Sequence, residues 1–107
     1  MVDESIRQTI KDYLRALNRA GIKATRAVVF GSRAQGRADE WSDIDLVVIA
    51  PELDGNRDSR IVNLLWELRA ETDSRIEPIP CGEREWESDT ARPILEIARR
   101  QGEMVAT

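Results

Sequence analysis

Gly31-Ser32 and Asp43-x-Asp45 are the residues of this chain best suited to chemistry. The glycine–serine pair stands directly after a β-branched run, ten residues intervene, and two aspartates follow at i and i+2. Glycine at the end of a buried strand allows a sharp turn and lets a ligand come close to the backbone. A serine opening a helical turn offers its hydroxyl where the helix end already favours an anion. Two aspartates two apart on a strand project to one face, with Cα atoms ~6.5 Å apart. Carboxylates converging from that spacing can bridge divalent ions roughly 3.5–4 Å from each other, the separation used in phosphoryl transfer. Without a cation the two charges repel, and one carboxyl keeps its proton to higher pH. Separately the parts are ordinary, because Asp-x-Asp also marks solvated strand entrances and Gly-Ser also serves as turn and cap. Together, with each half at a strand terminus, they point to metal-assisted chemistry on phosphates.

Arg33 and Arg37 lie one helical turn apart and can reach the same side. Guanidinium groups suit a triphosphate or a departing pyrophosphate, or alternatively balance Asp39 and Glu40 on a solvated surface. Gly31 to Gly36 also matches the opening of a phosphate-binding G-x-x-x-x-G loop. Arg37-Ala38 replaces the Lys-Ser/Thr that such a loop requires, so that reading is rejected. Histidine is absent, so any general base is a carboxylate, lysine or tyrosine, and histidine-ligated zinc is excluded.

The elements that must position these residues follow from periodicity. Residues 5–20 predict an amphipathic helix through Ile6, Ile10, Tyr13, Leu14 and Leu17, with Ser5 and Gln8 as a capping box and Gly21 as its stop. Residues 24–30 predict a strand, 32–38 one or two helical turns, and 43–50 a second strand closed by Pro51. A loop over 51–58 turns at Asp54-Gly55-Asn56. Residues 59–72 predict a second helix with Ile61, Leu64, Leu65 and Leu68 as its stripe. Residues 75–79 predict a third strand, and 94–101 a last helix with Pro93 in its first turn and Gly102 at its end. Pro78 within the third strand places it at an edge or a bend. The alternation of helix and strand indicates an α/β fold with a small mixed sheet, packed by helices mainly on one face.

In the second strand Ile44, Leu46 and Val48 face the helices. Val47 and Ile49 face the side that carries Asp43 and Asp45. In the second helix Val62 and Trp66 fall off the core stripe. These leftover apolar positions are covered either by the C-terminal segment or a loop, or by a partner protein, since so short a chain leaves little to wrap a second sheet face. Trp41, Trp66 and Trp86 suit core or interface packing better than base stacking.

Composition bounds the rest. A chain of 107 residues, 41% hydrophobic and 34% charged, is expected to form one domain over 1–107. Its net charge of −4 comes from sixteen basic and twenty acidic residues that are well interspersed, which argues against duplex nucleic acid as a direct partner. No apolar run approaches a membrane span, and the N-terminal MVDESIRQ carries no secretory signal pattern. Cys81, the single cysteine, excludes an internal disulfide and fits a reducing cytoplasm.

The stretch GSRAQGRADEWSDIDLVV resembles the GSx10DxD signature of the minimal nucleotidyltransferases of the DNA polymerase beta-like superfamily. The later strand, Pro80, an acidic stretch and the final IARRQG extend the likeness over roughly residues 10 to 105. The resemblance implies that Asp43 and Asp45 bind metal and that Gly31 and Ser32 hold the β- and γ-phosphates. It implies a third carboxylate from a later strand, matched by Glu77 where the family often has Asp. It implies transfer of AMP from ATP to a hydroxyl, with two Mg²⁺ ions (or Mn²⁺) as cofactors and Arg33 at the pyrophosphate. A free-standing domain of this kind is similar to the antitoxin of MNT–HEPN toxin–antitoxin pairs, which modifies a tyrosine on a HEPN ribonuclease; a homo- or hetero-oligomer is expected of this chain. Two other readings stand beside it: a binding module that neutralises its partner by occlusion, and a transferase acting on a small molecule such as an aminoglycoside.

Overall fold

Asp3 and Gly21 bound the first helix. The computed structural model describes residues 2–55, 58–88 and 91–107. Helix α1 (Glu4–Arg19) begins where the Asp3 carboxylate accepts the Ile6 N–H at 3.0 Å and the Ser5 hydroxyl at 2.6 Å. The expected capping box of Ser5 and Gln8 is not formed. Asp3 holds the cap position two residues earlier, and Gln8 donates instead to Asp12. A carboxylate there satisfies a free N–H and meets the helix dipole with a full negative charge, which a serine cannot do. Gly21, with φ +94°, then ends the helix in the left-handed region.

Strand β1 (Arg26–Phe30) runs into a 3₁₀ turn at Gly31–Arg33, and β2 (Ile44–Ile49) returns antiparallel to it. A short turn at Pro51–Leu53 leads to α2 (Ser59–Leu68), capped by the Asp58 carboxylate. The expected Asp54-Gly55-Asn56 turn reaches Asn56, which lies outside the described residues. Strand β3 (Ile76–Cys81) pairs parallel with β2. Two short helices, α3 (Glu83–Ser88) and α4 (Pro93–Gln101), then lead to β4 (Glu103–Ala106), which pairs antiparallel with β1. The sheet order is β3-β2-β1-β4, a mixed sheet with β3 and β4 at its edges. The Arg75 carbonyl accepts from Ile44 at the start of β2, and the Cys81 carbonyl from Ala50 just past its end. By strand alternation Pro78 and Pro80 therefore fall at positions turned away from β2, where their missing N–H groups cost no ladder bond.

The two sheet faces carry separate cores. On one, α1 and α2 cover Ala27, Val29, Ile44, Leu46, Val48, Ile76 and Val105, with Ile61, Leu64 and Leu68 packed at the margin. On the other, Leu95 and Ala98 of α4 pack on Val28, Phe30, Val47, Ile49 and Cys81, joined by Ile79, Trp86 and Ile94. The chain thus does wrap part of its second face. It can because the connection from β3 at one edge to β4 at the other must cross that face and brings α4 with it. Val47 and Ile49 are fully buried by this C-terminal segment, so they offer nothing to a partner. Val62 is half-buried, while Trp66 stays 41% exposed under the Arg69 guanidinium, 4.8 Å from its ring centroid. Among the described residues no helix is long and apolar enough to cross a membrane.

Neither α3 nor β4 is legible in sequence. The six residues of α3 have no apolar period, and their first N–H groups are held by the distant Asp54 carboxylate, which accepts from Arg84 and Glu85. Strand β4 is four residues long and exists through its pairing with β1. Two substitutions probe the two cores. Leu95→Ala is expected to cost about 2–5 kcal/mol by emptying the α4 side. Tyr13→Phe, which removes the 2.5 Å bond from the buried hydroxyl to the Leu65 carbonyl, is expected to cost about 1 kcal/mol. Urea denaturation of both variants beside wild type measures each loss.

Candidate active site

Phe30, Asp45 and Glu77 lie side by side across three strands. The registers pair Phe30 with Asp45 and Asp45 with Glu77, so both carboxylates occupy the same row of the second face. Asp43 precedes β2, two residues before Asp45, and is exposed. Strand pairing, rather than sequence proximity, brings Glu77 to the aspartates. Phe30 lies under the α4 cluster, while Asp45 and Glu77 stay half-buried beyond Val47 and Ile49.

The charges crowd one another. Asp45 holds its proton above the ordinary Asp value of 3.8, first because it is partly desolvated and then because Asp43 is close; a hydrogen bond with Glu77 partly offsets this. The Glu77 carboxyl is likewise raised, by desolvation first, then by the charge of Asp43, a hydrogen bond with Asp43 and the charge of Asp45. Gly31 presses on the same group. It has φ +72°, and a Cβ built there would stand 2.4 Å from Asp45 Oδ2. Glycine is needed at that turn for both its conformation and its lack of a side chain.

Among the described residues, no three carboxylate or thiol side chains already enclose a common cation position. The donor set nevertheless fits a hard divalent ion. All three groups offer oxygen, they approach from adjacent strands, and a cation would relieve the repulsion that raises Asp45 and Glu77.

The 3₁₀ turn at Gly31–Arg33 has no side-chain cap at its start. Ser32 is half-buried there, and its carbonyl accepts from Gln35 and Arg37. Arg33 is half-buried, and its Nη2 donates to the Ser42 carbonyl at 2.7 Å, next to Asp43. Arg37 is exposed and donates to Gln35, whose amide in turn donates to Gln101 on α4 at 2.8 Å. Within the connector the Asp39 carboxylate accepts from the Trp41 N–H at 2.9 Å and the Ser42 hydroxyl at 3.3 Å. Trp41 itself is 83% exposed. Sequence reasoning missed Arg75, which donates through Nη1 to the Glu40 carbonyl at 2.9 Å while forking onto Asp73. The one available signal was the Asp73-x-Arg75 pair just ahead of Glu77. A polar surface cavity of about 310 Å³, lined by Asp12, Arg15, Arg19, Glu71 and Thr72, includes none of these residues.

The raised Asp45 carboxyl sets a pH signature. The unfolded carboxyl gives up its proton at lower pH than the folded one, so the folded state binds more protons above pH 3.8. Stability therefore falls as pH rises through that window. In EDTA, Asp45→Asn is expected to melt at a higher temperature than wild type at pH 7, with the gap closing toward pH 4. Millimolar Mg²⁺ is expected to narrow the pH 7 gap by stabilising only the wild type. Thermal melts at both pH values test this.

The family model of the nucleotidyltransferase domain matches residues 7–97. A comparison with curated proteins returns no match. Among solved structures, the chain is similar to a toxin–antitoxin structure with AMP-PNP, at 24% identity over 92% of this chain and 71% of that one, with a TM-score of 0.61. It is similar to a mutant of the toxin–antitoxin MntA-HpeT in which two aspartates, two positions apart, are replaced by glutamate (22% identity, 92% of this chain and 70% of that chain, TM-score 0.57). It is also similar to a candidate nucleotidyltransferase of Sulfolobus solfataricus, at 17% identity over 76% of this chain and 70% of that chain, with a TM-score of 0.56. At these identities the structures show a shared fold, and the match over residues 7–97 shows the family: this chain belongs to the nucleotidyltransferase domain family.

Proposed function

We propose that the protein transfers AMP from ATP to a hydroxyl acceptor, a tyrosine of a HEPN-type partner ribonuclease, and acts as its antitoxin in the cytoplasm. The observation that carries this reading is the β2–β3 register, which sets Glu77 beside Asp45 and within hydrogen-bond reach of Asp43. Membership of the nucleotidyltransferase family supports the reaction class. The likeness to toxin–antitoxin structures, one of them with AMP-PNP, supports the partner and the nucleotide.

Asp43, Asp45 and Glu77 would hold the metal, two Mg²⁺ ions or Mn²⁺ in their place. When bound, such ions neutralise phosphate charge and make a hydroxyl easier to deprotonate. Glu77 accepts the proton of the attacking hydroxyl. The Gly31 backbone and the Ser32 hydroxyl hold the β- and γ-phosphates, with the absent Cβ of Gly31 leaving room beside Asp45. Arg37, exposed on the connector, supplies positive charge to the departing pyrophosphate.

The exposed Trp41, two residues before Asp43 in sequence, favours a macromolecular acceptor over a small hydroxylated molecule. The same surface would serve neutralisation by occlusion alone, and one experiment separates the two. Incubation with the HEPN-type partner, ATP and Mg²⁺ is expected to add the mass of AMP to the partner. Asp43→Asn with Asp45→Asn is expected to slow that transfer roughly 10³-fold, from several kcal/mol of metal-borne stabilisation at about 1.4 kcal/mol per decade. Mass spectrometry reads the transfer. A double variant that still neutralises the partner's ribonuclease activity would replace chemistry with occlusion.

A further inference from the structure

Asp43 lies just outside β2, so the sheet's own ladder does not fix it. What fixes it is the connector before it, and two arginines from different elements hold that connector. Arg33, in the turn that follows β1, donates to the Ser42 carbonyl at 2.7 Å. Arg75, just ahead of β3, donates to the Glu40 carbonyl at 2.9 Å. Arg75 is itself locked by the Asp73 carboxylate, through Nε at 2.9 Å and Nη2 at 2.6 Å. Its own carbonyl accepts the Ile44 N–H at 2.8 Å, which ties the start of β2 to the same residue. Arg33 also lies within electrostatic reach of Asp3 and Asp73. Its Nε is buried and has no hydrogen-bond partner among the described residues. A guanidinium keeps an unmatched donor in such a place only where its other contacts outweigh the loss.

We propose that Arg33 and Arg75 are positioning residues that brace residues 39–42 from two sides and so present Asp43 to Asp45 and Glu77. The inference rests on the proposed nucleotidyl transfer for its purpose, and it gives Arg33 a role other than a phosphate ligand. The two arginines thereby tie together the turn at Gly31, the approach to Asp43, the start of β2 ahead of Asp45 and the approach to Glu77. With the brace intact, the loop is ordered before a cation arrives. Without it, the ordering entropy of the connector would oppose binding. Outer partners that orient ligands typically change metal affinity 10–100-fold, and the low end suits a contact through the backbone.

The test uses Mn²⁺ as the probe, ATP in EDTA as the second ligand, and amide hydrogen exchange as a readout independent of both. Arg33→Gln and Arg75→Gln are each expected to weaken Mn²⁺ binding about tenfold, to speed exchange at residues 39–43, and to leave metal-free ATP affinity within about twofold. Arg33→Lys, which keeps a charged donor for the Ser42 carbonyl, is expected to recover part of the Mn²⁺ affinity. It also serves as the folded comparison should the glutamine variant unfold. Unchanged exchange at residues 39–43 overturns the brace. So does a loss of metal-free ATP binding in Arg33→Gln with Mn²⁺ affinity intact, since a phosphate ligand would behave that way. Wild type that binds neither Mn²⁺ nor ATP sinks the nucleotide-transfer reading by itself, and exchange at residues 39–43 then still decides the brace.

Discussion

Repulsion among three carboxylates is the constraint around which this fold is arranged. Asp43, Asp45 and Glu77 would separate if their backbones were free, and desolvation adds to the cost of keeping Asp45 and Glu77 charged. The sheet prevents separation. Parallel pairing of β2 with β3 fixes Asp45 against Glu77, and the fully buried residues that follow, Val47 and Ile49, anchor β2 on both of its neighbours. Stability spent in this way is typical of sites whose charges are meant to be completed by a ligand.

Gly31 shows how little room the arrangement leaves. The turn needs a positive φ there, and the nearest atom to an added Cβ is an oxygen of the aspartate that the turn must serve. Backbone conformation and site geometry therefore make the same demand at one residue. That is the physical reason the glycine–serine pair and the aspartate pair belong together despite the ten residues between them.

Much of this was legible in sequence because it depends on short-range pattern. Alternation in β2 separated Ile44, Leu46 and Val48 from Val47 and Ile49, and the two cores divide them in the same way. The stripe of α1, the left-handed stop at Gly21 and the edge position of β3 followed from equally local chemistry. What escaped was set at a distance. Asp3 displaced Ser5 as cap through a competition that the capping-box pattern does not weigh. Helix α3 depends on Asp54, some thirty residues upstream, and β4 depends on β1. The partner of Arg33, a carbonyl nine residues away, has no signal in the local sequence. Arg75 carried no motif at all.

The prolines of β3 have a consequence for what can happen at the rim of the sheet. Pro78 and Pro80 occupy outward positions of the edge strand that carries Glu77. An extended segment arriving there would find carbonyls but, at those two positions, no amide hydrogens, so a continuous ladder cannot zip onto that side. The acidic mouth is thereby kept from being sealed by strand addition, and any lateral growth of the sheet is steered to the opposite rim, at β4.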